Sequence, residues 1–152
     1  MPTIQHDQPD DAEPILAVQK LAYESEARLY NDWEIPPLTQ SLQSLRDEFT
    51  DHVVLKATEG QDIVGSVRAI MRQSTCCIGR LVVHPAFQGR GIGSSLLRTI
   101  EKCFPRASRF ELFTGSRSEG NIRLYRRHGY AVTRTTALSP KVDIVFLQKL
   151  RD

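Results

Sequence analysis

The most informative stretch of the chain is residues 78–97, with the sequence IGRLVVHPAFQGRGIGSSLL. The apolar, β-branched residues near its start predict a strand that ends at Val83. The following turn contains three closely spaced glycines, and apolar residues then recur at helical spacing from Ile92 to Phe104, just before Pro105. A strand, a glycine-rich turn and an amphipathic helix therefore follow one another directly.

This turn has the properties of a phosphate-binding site. The first backbone N–H groups of a helix have no partner within the helix, and the helix dipole makes this end positive. The glycines carry no side chain that would keep a phosphate away from these donors. Gln88 and Arg90 add polar and cationic groups, and Ser94 either contacts phosphate or closes the helix start.

Composition narrows the class of protein. The chain has 152 residues, 40% hydrophobic and 25% charged, which predicts one globular domain over residues 1–152. The net charge of +2 disfavours nucleic acid or an anionic membrane as the main partner. The sequence shows no secretory signal and no membrane span, and its three cysteines match no metal-ligand spacing. We expect free thiols, no metal and a cytoplasmic location.

Hydrophobic periodicity predicts the remaining elements. A capping box of Asp10 and Glu13 opens a helix that continues to about Tyr30, with Leu29 on its apolar stripe. Thr39 is the predicted N-cap of a second helix. The later elements are a hairpin (53–58 and 63–71), a strand (109–114), a short helix (119–128) and two terminal strands (130–136 and 141–148).

Two motifs in this order resemble those of the GNAT superfamily of acyl-CoA-dependent N-acyltransferases. Gln88-x-x-Gly91-x-Gly93 looks like its acetyl-CoA signature. Residues 121–130, NIRLYRRHGY, resemble its second motif, in which an Asn opens a helix, a Tyr follows four residues later, and a Gly plus an aromatic residue end it. The motifs lie about 30 residues apart, and the resemblance is strong from about residue 50 onward.

The resemblance implies a single-domain α/β (α+β) fold. Its central sheet is expected to be mixed, mostly antiparallel and twisted, with about six to seven strands and about four helices. The sheet is expected to splay between the fourth and fifth strands.

One rival interpretation takes Gly89-x-Gly91-x-x-Ser94 as a dinucleotide-binding fingerprint with Glu111 as the ribose ligand. Glu111 lies near the start of its strand, where that ligand does not belong.

The resemblance also implies an activity. The protein is expected to transfer an acetyl group from acetyl-CoA, as co-substrate, to a primary amine by direct attack in a ternary complex. Tyr125 is expected to protonate the departing thiolate, although an aromatic residue in this pattern also suits a core position. The residues expected to bind acetyl-CoA are Leu81, Val82, Val83, Gln88, Gly89, Arg90, Gly91, Ile92, Gly93, Ser94 and Asn121.

The general base and the acceptor are less well defined. Many relatives place an acid on the strand before the turn, but residues 76–83 contain none. Four acids on the first helix and the loop after it are the candidates: Glu24, Glu26, Asp32 and Glu34. Glu26, Trp33 and Glu34 are expected to contact the substrate, with Trp33 holding a cationic amine by a cation–π interaction.

The preferred acceptor is a small basic amine, and a protein amino group is the second choice. A homodimer is compatible with the sequence. The alternative function is a non-catalytic acyl-CoA sensor or assembly module on the same fold.

Overall fold

Seven strands form one sheet in the order β1-β2-β3-β4-β5-β7-β6. The computed structural model describes residues 2–151. All neighbouring strands are antiparallel except β4 and β5, which run parallel, so the expected mixed sheet is confirmed. The strands are β1 (Thr3–His6), β2 (Val53–Glu59), β3 (Asp62–Arg72), β4 (Thr75–Val83), β5 (Arg109–Gly115), β6 (Ala131–Ser139) and β7 (Val142–Leu150).

Five α-helices accompany the sheet in the described residues, one more than predicted. They are α1 (Ala12–Tyr30), α2 (Pro36–Thr39), α3 (Leu42–Glu48), α4 (Ile92–Lys102) and α5 (Glu119–Arg127). The predicted second helix is divided because Gln40 adopts an extended ψ of 132°. Ser41 rather than Thr39 caps α3, since its side chain accepts a hydrogen bond from the backbone N–H of Ser44.

The start and the buried face of α1 also differ from prediction. Asp11, rather than Glu13, turns its carboxylate back to the chain and accepts the N–H of Gln8 at 2.6 Å. Leu29 is 38% exposed. The buried stripe instead runs through Ile15, Gln19 and Ala27, so the helix presents a partly polar face to the sheet.

Helices cover both faces of the sheet. Leu55 belongs to the core cluster that contains Leu96 and Ile100 of α4. Its neighbour Val54 packs in a separate cluster with Ile15 of α1 and Leu45 of α3. Because consecutive strand residues point to opposite faces, α4 lies on one side of the sheet and α1 with α3 on the other.

The sheet opens between β4 and β5, as predicted. The two strands pair only from Thr75 to Cys77, opposite Arg109 to Glu111, although both continue beyond this point. A register shift in the β3–β4 ladder lies beside Arg80, whose φ is 51°. The β4 edge that faces β5 is therefore unpaired beyond Cys77. Within residues 2–151, no helix combines the length and apolarity needed to cross a bilayer.

Candidate active site

The glycine-rich turn places free backbone donors at the start of α4. Gly89 and Gly91 have φ values of 79° and 82°, in the left-handed region that favours glycine. A Cβ added at either position would meet no heavy atom within 4 Å, so the space above the turn is open. The N–H of Ser95 already bonds the carbonyl of Gly91, whereas the three N–H groups before it belong to the unsatisfied first turn. These residues fit a bound diphosphate.

The side chains of the turn mainly shape it. The Gln88 amide donates to the carbonyl of Val83 at 3.1 Å and so holds the turn against the end of β4. The Ser94 hydroxyl lies 3.0 Å from Nε2 of His128. Arg90 is exposed, its guanidinium carbon lies 5.1 Å from the centre of the Phe87 ring, and it does not line the cleft beside the turn.

We call this cleft the cradle cleft. It runs from the turn along the open edge of β4 and is bounded by α1 and α5. It brings together ten of the eleven predicted acetyl-CoA-binding residues, Arg90 being outside it: Leu81, Val82, Val83, Gln88, Gly89, Gly91, Ile92, Gly93, Ser94 and Asn121.

A second space, the inner cavity, lies between the separated strands. It is lined by β4 and β5 and by residues of α1, α2, α5 and β7, including the predicted catalytic residue Tyr125. Four residues line both spaces: Tyr23, Glu26, Leu81 and Asn121. The cradle cleft and the inner cavity therefore meet where one carboxylate is available.

Glu26 is held at this junction by a hydrogen-bond network from three elements. One of its carboxylate oxygens accepts the Ser118 hydroxyl at 2.5 Å, and the other accepts the Asn121 amide at 3.2 Å. Asn121 also donates to the Thr114 hydroxyl at 3.2 Å. Since Ser118 donates to Glu26, the Tyr30 hydroxyl 2.9 Å away donates to Ser118. Of the four acids considered as the base, Glu26 is the one at the junction.

Tyr125 is buried between the inner cavity and the main core. It is 6% exposed, and its ring centre lies 6.2 Å from that of Tyr130. Burial, reinforced by Tyr23 and Glu26, raises the pKa of the Tyr125 phenol above its usual range. The hydroxyl is therefore neutral and can donate a hydrogen bond throughout the neutral pH range.

Three of the predicted residues in the loop after α1, Asp32, Trp33 and Glu34, line neither space. Trp33 is 50% exposed and is stacked by the chain's own Arg28, whose guanidinium carbon lies 5.9 Å from the ring centre. The backbone N–H of Glu34 bonds the Asp32 carboxylate at 3.0 Å. Trp33 and Glu34 therefore lie apart from Glu26, the third predicted substrate contact.

Sequence reasoning missed four residues of the site: Tyr23, Tyr30, Arg80 and Ser118. A signal existed for the tyrosines, because Tyr23, Glu26 and Tyr30 recur at helical spacing and so share one face of α1. Tyr30 crosses directly over Gly115, where an added Cβ would lie 2.0 Å from its hydroxyl. That contact joins residues far apart in the chain, so no local sequence pattern predicts it.

A mixed sheet opened between β4 and β5, with a glycine-rich helix start at the opening, is typical of acyl-CoA-dependent acyltransferases. The chain matches the family model described as Acetyltransferase (GNAT) family over residues 17–130. The chain belongs to this family, and membership supports acetyl transfer as its activity.

Solved structures show the same fold. The chain is similar to the PaiA N-acetyltransferase of Thermoplasma acidophilum in complex with coenzyme A, with a TM-score of 0.83, 16% identity and 99% coverage of each chain. It is also similar to the ribosomal-protein-S18-alanine N-acetyltransferase of Escherichia coli, with a TM-score of 0.80, 13% identity and coverage of 99% of this chain and 94% of the other. A sequence comparison with curated proteins gives no significant match.

Proposed function

We propose that the protein transfers the acetyl group of acetyl-CoA to a primary amine by direct attack in a ternary complex. The observation that carries this proposal is the junction of the cradle cleft and the inner cavity at Tyr23, Glu26, Leu81 and Asn121. A thioester reaching the junction from the cleft would meet an amine held in the cavity. Direct attack needs both reactants in contact at one point.

The open edge of β4 suits the pantetheine arm of the co-substrate. Val82 and Val83 pair with β3 on one side, but the strand from Leu81 to Val83 does not pair with β5 on the other, so an extended ligand could bond the open side as an added strand would. A backbone N–H in this stretch would polarise the thioester carbonyl and stabilise the oxyanion that develops during attack.

Tyr125 is the proposed donor to the leaving sulfur. A thiol has a reference pKa of about 8.5 and a phenol about 10, and burial raises the pKa of Tyr125 further. Complete proton transfer from the Tyr125 phenol to the thiolate is therefore less favourable than it would be from an exposed tyrosine. We infer that Tyr125 acts mainly by donating a hydrogen bond that stabilises the developing thiolate.

Glu26 is the proposed proton acceptor. An alkylamine of pKa about 10.4 is protonated at pH 7, and removing that proton costs about 4.6 kcal/mol. Glu26 reaches the junction from α1 and so supplies the carboxylate that β4 lacks. The non-catalytic sensor was favoured only by the absence of an acid on β4. Because Glu26 supplies a carboxylate at the junction, its position supports catalysis instead.

The direct test is thiol release from acetyl-CoA in the presence and absence of candidate amines, with mass spectrometry of the products. The amines include small molecules and peptides with free N-termini, because the E. coli relative is named for acetylating a ribosomal-protein alanine. Amine-dependent release with a matching acetylated product is expected. Acetyl-CoA binding without acetylation of any amine would favour the sensor.

A further inference from the structure

Arg80 lies at an unusual point of the inner cavity. It belongs to β4 but has a φ of 51°, in a left-handed conformation that is unfavourable for residues other than glycine. The register shift between β3 and β4 lies beside it. Arg80 lines the inner cavity and does not line the cradle cleft, so it belongs to the space proposed for the acceptor rather than to the one proposed for the co-substrate.

The charge of Arg80 is not neutralised by the protein. Its Nε is buried and, among the described residues, is the one such side-chain nitrogen or oxygen without a hydrogen-bond partner. It forms no ion pair with any carboxylate of residues 2–151. Buried donors are nearly always satisfied, so an unpaired guanidinium nitrogen on a residue that lines a cavity indicates a missing acceptor.

A neighbouring arginine shows the contrast. Arg68 on β3 is 2% exposed, and its guanidinium lies 3.2 Å from the carboxylate of Glu48. It also donates to the side chains of Gln19 and Gln40, each at 3.0 Å. Arg68 thus has partners for its charge within the fold, and Arg80 is the one arginine or lysine of residues 2–151 that lines the inner cavity.

Tyr23, Glu26 and Arg80 all line the inner cavity. Burial raises the pKa of the Tyr23 phenol, Arg80 opposes this increase and Glu26 adds to it, so both charges act on the same hydroxyl. The site therefore offers a negative group at the junction and a positive group close by. These two charges are complementary to a molecule that carries an ammonium and an oxyanion.

The rest of the inner cavity is largely apolar. Side chains of Ile35, Pro37, Leu112, Leu138 and Ile144 line it, and its volume is about 120 Å³. An apolar cavity of roughly 150 Å³ holds a benzene-sized molecule. A small apolar group therefore fits here, and a long polyamine has no row of acceptors along these walls.

We propose that Arg80 is a specificity-determining residue that binds an oxyanion on the acceptor, and that the acceptor is a small apolar amine of the amino-acid class. Its carboxylate contacts Arg80, its amine faces Glu26, and its side chain enters the inner cavity. This inference rests on the proposed function and replaces the sequence-based preference for a basic amine.

The first test compares matched acceptors with the unmodified protein. Leucine, leucinamide and 3-methylbutylamine share a side chain and differ in the carboxylate. We expect kcat/KM, corrected for the fraction of free amine, to be at least about 10-fold higher for the carboxylate, as for a hydrogen bond to a charged group. The ratio of kcat/KM for the amino acid to that for its amide is also measured with methionine and with valine. Equal values, or a preference for the amides in all series, would overturn the inference.

The second test changes the cation. Arg80→Gln should remove the preference for the carboxylate, whereas Arg80→Lys should keep part of it. Arg106→Gln is the control for net charge, because Arg106 is exposed and lies outside both spaces. Circular dichroism checks folding of each variant. A carboxylate preference unchanged in a folded Arg80→Gln would contradict the assignment.

A binding measurement separates this inference from the proposed function. Calorimetry of the protein with coenzyme A, titrated with N-acetylleucine or N-acetylleucinamide, needs no turnover. We expect tighter binding of the carboxylate. If coenzyme A binds but neither compound does, or both bind equally, the Arg80 inference fails while the proposed function stands. If acetyl-CoA itself does not bind, the proposed function fails and this inference falls with it.

Discussion

Tyr125 belongs to the core and also lines the cavity proposed for the reaction. Its ring packs in the main core cluster and its edge lines the inner cavity. Tyr130 offers a matched comparison, because it is equally buried but donates its hydroxyl to Glu101 at 2.7 Å, on the far side of the cluster. The two phenols therefore separate packing from catalysis.

Replacing Tyr125 by Phe removes the proposed donor and keeps the ring. We expect kcat to fall by about 10²-fold or more, with the KM for acetyl-CoA nearly unchanged, since the donor acts on the leaving sulfur. Tyr130→Phe should lower the melting temperature but leave kcat within about 2-fold. Steady-state kinetics and thermal unfolding check both variants. Equal kcat values for Tyr125→Phe and the native protein would remove Tyr125 from the mechanism.

Replacing Glu26 tests the proposed proton acceptor. Glu26→Gln cannot accept the amine proton, so we expect kcat/KM to fall by about 10²-fold near pH 7. The loss should shrink as pH rises, because more of the acceptor is already deprotonated. Glu24→Gln is the matched control, two residues earlier on α1 and outside both spaces. The pH dependence of kcat/KM distinguishes the two roles of Glu26. A loss of kcat/KM that is the same at every pH would indicate that Glu26 positions the substrate and does not accept its proton.

At the level of elements, the start of α4 is the proposed phosphate-binding site. Its donors are aimed by the left-handed conformations of Gly89 and Gly91, which precede the helix. Among residues 2–151, no heavy atom lies within 4 Å of a Cβ added at these positions. Backbone conformation therefore favours these glycines, packing within the described residues does not require them, and the proposed ligand would use the open space.

Gly91→Ala tests this element. We expect the Kd for acetyl-CoA to rise by about 10-fold, because the strained residue relaxes and turns the N–H groups away, and stability to fall by about 1–2 kcal/mol. Gly60→Ala is a matched control: its φ is 63°, an added Cβ also meets nothing, and it lies in the β2–β3 turn. It should lose similar stability and no affinity. Calorimetry showing equal affinity losses in both variants would contradict the assignment of α4.

For the whole molecule, local patterns predict the individual strands and helices, whereas the arrangement of the sheet and its opening were implied by the family resemblance. Strand alternation, the hairpin turn and the glycine-rich helix start each act over a few residues. The predicted base was spread over four acids because only tertiary packing brings Glu26 to Asn121 and Ser118, more than 90 residues away. The Arg80 conformation likewise depends on the register of β3 against β4.

The polar network that joins α1, α3 and β3 makes stability depend on pH. Burial alone would raise the pKa of Glu48, but Arg68 and Gln40 outweigh it and leave the pKa below its usual value. A lowered pKa in the folded state adds stability above the unfolded pKa of about 4.3, and this stability is lost as pH falls through the folded value.

Glu48→Gln should therefore destabilise the protein by about 1–3 kcal/mol at pH 7, since Arg68 loses its charged partner. The same variant should lose less stability than the native protein on acidification below about pH 4.3. Asp47→Asn, at an exposed neighbouring position, should change neither quantity appreciably. Urea unfolding across pH measures both. Parallel pH curves for Glu48→Gln and the native protein would exclude the linkage.

The most direct test of the central claim is residue-resolved amide hydrogen exchange, measured by NMR with and without acetyl-CoA. If acetyl-CoA binds as proposed, exchange should slow at residues 81–83 on the open edge of β4 and at residues 92–94 at the start of α4. No change is expected along β6, which lies at the far edge of the sheet. Saturating acetyl-CoA that leaves exchange at 92–94 unaltered would contradict the proposed binding.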